Sequence, residues 1–233
     1  MQNDNKTECG FVIRIFFNFI RMLKMTEIKD NALQVYLDTL ASNSATPGGG
    51  SAAALMGAQA AALTSMVCNL TIGKPKYAEV ETEMRALLAK SEQLREQLTS
   101  MIKADVDVFN RLMATYALPK STNEEKEARS AAIQIVLKDA TDVPLACAKA
   151  CAEVIILSRI AAEKGSTAVI SDAGVAVMSG YAGLKSAALN VYVNASGLRD
   201  KEFASKKIAE LSAILEGADI TSQEIYDLVK SKL

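Results

Sequence analysis

From about residue 25 to the C terminus, apolar side chains return every three or four positions, the period of a helix that buries one face. Alternating apolar and polar runs bounded by turn residues are hard to find, so no strands are predicted. The spacing predicts helices over 27–42, 50–72, 76–117, 123–164, 171–196 and 200–231. Breaks fall at Gly48 to Gly50, at Gly73-Lys74-Pro75, between Pro119 and Asn123, at Gly165 and around Gly197. Long helices with short connections predict an all-α fold, one domain built as a bundle of long antiparallel helices. Pro144 falls inside the fourth segment, where its missing N–H predicts a kink or a restart.

Composition narrows the picture. The chain has 233 residues, enough for one good core, and nothing in it forces a second domain. Half of it is apolar but only 5% is aromatic, so the core is built from small side chains, alanine above all, that let helices approach closely. Alanine-rich helices of this length need cover on more than one side, and a dimer or larger assembly is expected. A net charge of -1 gives no basic field for a phosphate backbone, so no nucleic-acid partner is expected.

There is no histidine. That excludes Ser-His-Asp triads, Cys-His pairs and histidine-bearing zinc sites, and leaves proton transfer to Asp, Glu, Lys, Cys or Tyr with a shifted pKa. Of the four cysteines, Cys147 and Cys151 share a helix face but sit among alanines, where cysteine behaves as a small buried hydrophobe. No metal is predicted, and free thiols without an export signal point to the cytoplasm. Within residues 1–24 the stretch "FVIRIFFNFIRMLK" is too short and too interrupted by Arg14, Asn18 and Arg21 to span a bilayer, so no membrane role is expected. It also lacks a small-residue cleavage site. It reads as an N-terminal extension, with the helical domain over 25–233.

Three features break the bland helical pattern. Gly48, Gly49 and Gly50 follow Pro47 and precede Ser51, which begins an alanine-rich helix. A corner and a cap need one glycine; three suggest a nest of backbone N–H donors at a positive helix end. Asp105 lies on the apolar stripe Tyr77, Met84, Leu87, Leu94, Leu98, Met101, Phe109, Leu112 and Tyr116, while Asp107 points almost the opposite way. A carboxylate on an apolar face costs several kcal/mol unless paired, protonated or catalytic, and its pKa is expected to be raised. Finally, Gly183, Ala187, Asn190, Asn194 and Gly197 share a face, two amides on a strip of small residues that can approach a ligand or another helix closely. Asp172 opens the fifth helix, where a plain dipole-favoured position and a functional role are both open.

The motifs "TPGGGSAAA", "IGKPKY", "DVDVFNRLM" with "YALPK", "VPL", and "SDAGVA" with "GLKSAALNVYVN" run in one order over about residues 26–231. In that order they resemble the cyclodeaminase/cyclohydrolase family: methenyltetrahydrofolate cyclohydrolases and the cyclodeaminase domain of formiminotransferase-cyclodeaminases. The resemblance implies an all-helical homodimer acting on the one-carbon unit that bridges N5 and N10 of tetrahydrofolate, with no metal or other cofactor. It places the family's motif aspartate at Asp105, as general acid–base, with Asp172 as a second polar catalytic group. The substrate-binding candidates are Gly48, Gly49, Gly50 and Ser51 for an acidic or carbonyl edge, Asn190 and Asn194 for the pterin, and Lys74 for the glutamate tail. Deamination and hydrolysis both stay open here, as does a non-catalytic folate-binding or oligomerisation module.

Overall fold

The structure, a computed structural model, describes Ile28 and residues 32–233. Its helices are α1 (Leu33–Leu40), α2 (Gly49–Asn69), α3 (Glu81–Tyr116), α4 (Asn123–Lys164), α5 (Ile170–Ser196), α6 (Lys201–Leu215) and α7 (Ala218–Ser231). Short 3-10 turns at Pro75–Val80 and Thr167–Val169 lead into α3 and α5. No strand occurs among the described residues.

Local chemistry sets the boundaries. Thr122 and Glu125 form a reciprocal capping box at the start of α4, the Thr122 hydroxyl accepting the Glu125 N–H while the Glu125 carboxylate accepts the Thr122 N–H. Asp200 caps α6 by accepting the Phe203 N–H at 2.9 Å.

The four long helices α2 to α5 run alternately up and down. The pairing is fixed by contacts along their length: Ser65 bonds Ser91 and Ser51 bonds Asp105 between α2 and α3, while Arg111 pairs with Asp139 and Lys164 with Glu83 between α3 and α4. The inner seam is made of small residues. A Cβ on Gly183 would stand 3.0 Å from the Ala53 carbonyl oxygen and 3.1 Å from the Gly57 nitrogen, and one on Gly57 would meet Cys151 Sγ at 2.6 Å. The expectation of closely approaching helices is met at this crossing. Helices α2 and α5 are long and apolar enough to cross a membrane, yet they form the packed centre of this bundle.

Three boundaries differ from the sequence reading. The segment predicted as one helix over 200–231 is two, α6 and α7, because Gly217 takes φ +71, a left-handed conformation that glycine adopts without a Cβ penalty. The helix predicted from residue 76 begins as a 3-10 turn and becomes α-helical at Glu81. In the fourth segment, of the two alternatives at Pro144, the restart does not occur: α4 is one helix through it. Pro144 cannot donate to the Ala140 carbonyl, and the Asn194 amide of α5 donates to that oxygen instead, at 2.5 Å. The 1–24 extension and the start of the first predicted helix lie outside the described residues.

Candidate functional site

Asp105 sits on α3 where that helix passes the first turn of α2. The Ser51 hydroxyl lies 2.9 Å from Asp105 Oδ2, to which it donates, and 3.2 Å from the Ile102 carbonyl oxygen. Gly50 makes this approach possible, since a Cβ there would run into Oδ1 and stand 2.5 Å from Cγ. Gly48 and Gly49 are under no such constraint: Cβ atoms on them would meet only ordinary contacts, at 3.8 Å with Ala45 and 3.9 Å with the Asn190 amide. Of the three glycines, one is required by the chain's own carboxyl. The other two leave the backbone beside it bare, with Gly49 exposed.

Burial dominates the electrostatics of Asp105 and raises its pKa, while the Ser51 hydroxyl and backbone N–H pull the other way. Asp105 is half-buried. Asp107, two positions on, is exposed and paired with Lys103, as the periodicity predicted. The helix stripe itself is rotated slightly from the sequence reading: Ile102 and Val108 are buried, whereas Tyr116 is exposed.

Asn190 stands beside Gly49, its amide nitrogen donating back to the Ser186 carbonyl at 2.9 Å. Its carbonyl oxygen, like its amide nitrogen, would stand 3.9 Å from a Cβ on Gly49. Asn194, one turn on, spends its amide on Ala140. The structure therefore brings Gly48, Gly49, Gly50, Ser51, Asp105 and Asn190 together.

Lys74 and Asp172 are elsewhere. Asp172 lies in the first turn of α5 and Asn190 near its last, 18 positions apart, so about 27 Å separates them along the axis. Lys74 belongs to Asp172's end, where its ammonium donates to Ser166 Oγ at 3.4 Å and Tyr77 Oη accepts the Thr167 N–H at 3.0 Å. The Thr167 hydroxyl, then the Thr167 N–H and the Ser166 hydroxyl, draw the Tyr77 phenol down to about 7.

One buried polar side chain escaped the sequence reading. Tyr36 is the buried residue of α1. Its Oη is buried and has no hydrogen-bond partner among the described residues. Burial, and after it the Asp105 charge, raise its pKa. The available signal was a lone aromatic between exposed Leu33, Val35 and Leu37, which periodicity alone does not single out.

Cys68, Cys147 and Cys151 are buried free thiols packed in the core. Among the described residues no group of three or more Cys, Asp or Glu is arranged to hold a metal ion.

The family model described as formiminotransferase-cyclodeaminase matches residues 32–213, and the chain belongs to this family. It is 58% identical to the methenyltetrahydrofolate cyclohydrolase of Methylorubrum extorquens, over 88% of this chain and 98% of that protein. The formimidoyltransferase-cyclodeaminase of Rattus norvegicus is 33% identical over 81% of this chain, which spans 35% of that longer protein. The crystal structure of formiminotetrahydrofolate cyclodeaminase from Thermotoga maritima superposes with a TM-score of 0.75 at 29% identity, covering 89% of this chain and 98% of that one.

Proposed function

We propose that this member of the folate one-carbon cyclohydrolase and cyclodeaminase group is a 5,10-methenyltetrahydrofolate cyclohydrolase with Asp105 as its general acid–base. The observation that carries the mechanism is the half-buried Asp105 carboxyl against the bare glycine corner. The near full-length likeness to a cyclohydrolase favours hydrolysis over deamination.

The methenyl substrate carries a positive amidinium-like bridge between N5 and N10. An ionised Asp105 steadies that charge and accepts a proton as water adds to the bridging carbon, giving a neutral carbinolamine. Asp105 then returns the proton to N5 while the carbon–N5 bond breaks. The carbinol hydroxyl proton leaves to solvent as the carbonyl forms. The sum is methenyl cation plus water giving 10-formyltetrahydrofolate and one proton, with Asp105 restored. Burial, by raising the carboxyl's pKa, brings it closer to the working pH, which favours proton transfer in both directions.

The bare backbone of Gly48 and Gly49 and the Asn190 carbonyl suit the hydrogen-bonding edge of a pterin. Asn194 is given a packing role, and Lys74 and Asp172 are given none at the reacting carbon of the same chain, because of their distance. The reaction as written needs no metal. A homodimer is part of the proposal, supported by Val175, Met178, Leu189, Tyr192 and Val193, which α5 turns outward as an uncovered apolar face. A reducing, cytoplasmic setting suits the three buried thiols.

The second reading is cyclodeamination, favoured by the Thermotoga neighbour. There the same carboxyl protonates the departing nitrogen as N10 closes on the formimino carbon, releasing ammonia. One spectroscopic experiment separates the readings. Supplied with 5,10-methenyltetrahydrofolate, the protein is expected to bleach the methenyl absorbance. Supplied with 5-formiminotetrahydrofolate, a cyclodeaminase would make that band grow. Folate binding with no turnover of either compound would leave only the non-catalytic module.

A further inference from the structure

We propose that a second copy of the chain completes the Asp105 site, its Lys74 taking the carboxylate end of the folate held at the Asp105 corner. This rests on the cyclohydrolase reading and on the homodimer named with it. The corner itself brings no cation: Gly48 to Ser51, Asp105 and Asn190 supply backbone, hydroxyl, amide and acid, and Asp105 makes no ion pair among the described residues. Tetrahydrofolate ends in a glutamate whose carboxylates lie far from the bridging carbon. At the opposite end of the bundle Lys74 and Lys76 make no ion pair among the described residues either. Lys74 donates to Ser166, and Lys76 lies over the Tyr77 ring. Within one chain the acid and these cations stand a bundle length apart.

An uncovered face joins the two ends. The segment Thr167–Ser196, which holds α5, is apolar enough to cross a membrane, yet only 44% of its apolar window is buried. Its exposed Val175, Met178, Ala182, Lys185 and Leu189 alternate three and four positions apart, the seam spacing of helices that pack along one another. On neighbouring α2, exposed Gln59, Ala62, Met66 and Asn69 repeat that spacing. Helices of these lengths run about 40 and 30 Å, and each presents a strip about 10 Å wide. Together they offer about 700 Å² per copy, close to the roughly 800 Å² per partner of a stable interface.

A face that pairs with itself does so about a two-fold axis. An axis along the helices would stack one Asp105 corner on the other and set Lys74 and Lys76 against their own copies. An axis across them at mid-face lays the helices antiparallel. About Gln59, Gly49 then comes opposite the partner's Asn69, five residues before Lys74, and about Ala182, Leu189 comes opposite the partner's Val175. This second arrangement carries the Lys74 end of one copy to the Asp105 end of the other, and complementary charge selects it.

Mixed dimers test this. First, wild-type protein is assayed on 5,10-methenyltetrahydrofolate: absence of turnover removes the cyclohydrolase reading and this inference with it. If the wild type turns over, sedimentation should find a dimer, and an active monomer would overturn the inference while leaving the Asp105 mechanism standing. Lys74→Glu is expected to raise KM about tenfold or more with kcat within about threefold, and to leave KM unchanged for the methenyl pteroate that lacks the glutamate. Wild-type KM for the folate in this variant would overturn the Lys74 role. Asp105→Asn and Lys74→Glu chains are then coexpressed in equal amounts. Each mixed dimer holds one site with both substitutions and one with neither, so at low substrate the mixture should reach about a quarter of wild-type activity. A mixture no more active than the average of the two variants alone would overturn the sharing of the site. Should Lys74→Glu lower the melting temperature, Lys74→Gln takes its place in the same mixture.

Discussion

The two ends of the bundle carry similar residue types and use them differently. At one end Asp105, Ser51 and Asn190 gather around bare glycine backbone, with the Asp105 carboxyl and the buried phenol of Tyr36 pushed towards their neutral forms by burial. At the other, Lys74, Tyr77, Ser166 and Thr167 bond to one another around the entry to α5, and the Tyr77 phenol is drawn towards its charged form. Opposite shifts of two tyrosines in one bundle teach that the residue type decides little. What matters is whether the neighbours leave a polar atom unpaired and dry or paired and wet.

The comparison breaks first at Asp105. Asp105→Asn keeps the shape and removes the proton carrier, so kcat on the methenyl substrate is expected to fall by about 10²–10⁴. The same substitution should raise the melting temperature at pH 7. An acid whose folded pKa is raised contributes stability below the unfolded value of about 3.9 and loses it as pH climbs through the folded value, so the wild type is penalised at neutral pH. The variant's advantage should therefore shrink as pH falls towards 4. A variant with reduced melting temperature at pH 7 would contradict the burial argument.

Next comes Gly50→Ala, which drives a methyl group into the carboxyl. A displacement of that size at a reacting group is expected to cost about a hundredfold in kcat, while Gly48→Ala and Gly49→Ala, with room for a methyl group, should retain far more activity. Equal losses at all three positions would mean that the backbone donors, and not Asp105, need the glycines.

Ser51→Ala gives a smaller, directional effect. It removes a hydrogen bond that lowers the Asp105 pKa, so the acid limb of kcat/KM should move to higher pH, with a loss on that limb that fades as pH rises. Smallest of all are Lys74→Ala and Asp172→Asn, expected to leave kcat within about threefold. A hundredfold fall there would sharpen the picture in another way, by showing that the two ends meet across two copies of the chain.

Helix existence was legible because the apolar period survives over tens of residues, and Asp105 was legible because it interrupts that period on the buried side. The split at Gly217 was missed because one glycine in "LEGAD" differs in sequence from a tolerated helical glycine only by its neighbours; the left-handed φ is set by how α7 packs back. Continuity through Pro144 could not be foreseen either. It depends on Asn194, fifty positions on, delivering an amide to the orphaned carbonyl. Asp172 was named a second polar group beside Asp105 and Lys74 a contact for the glutamate tail; motif order along the chain carries no information on which end of a bundle each reaches. Tyr36 was invisible because only the structure shows that its hydroxyl is dry.

The most direct measurement is an NMR titration of Asp105 in protein labelled with 13C at the aspartate carboxyls, assigned by Asp105→Asn, beside the pH profile of kcat/KM. The account predicts that the Asp105 resonance titrates above the usual aspartate value and together with the acid limb of activity. A carboxyl that titrates at or below about 3.9, or apart from that limb, would contradict it.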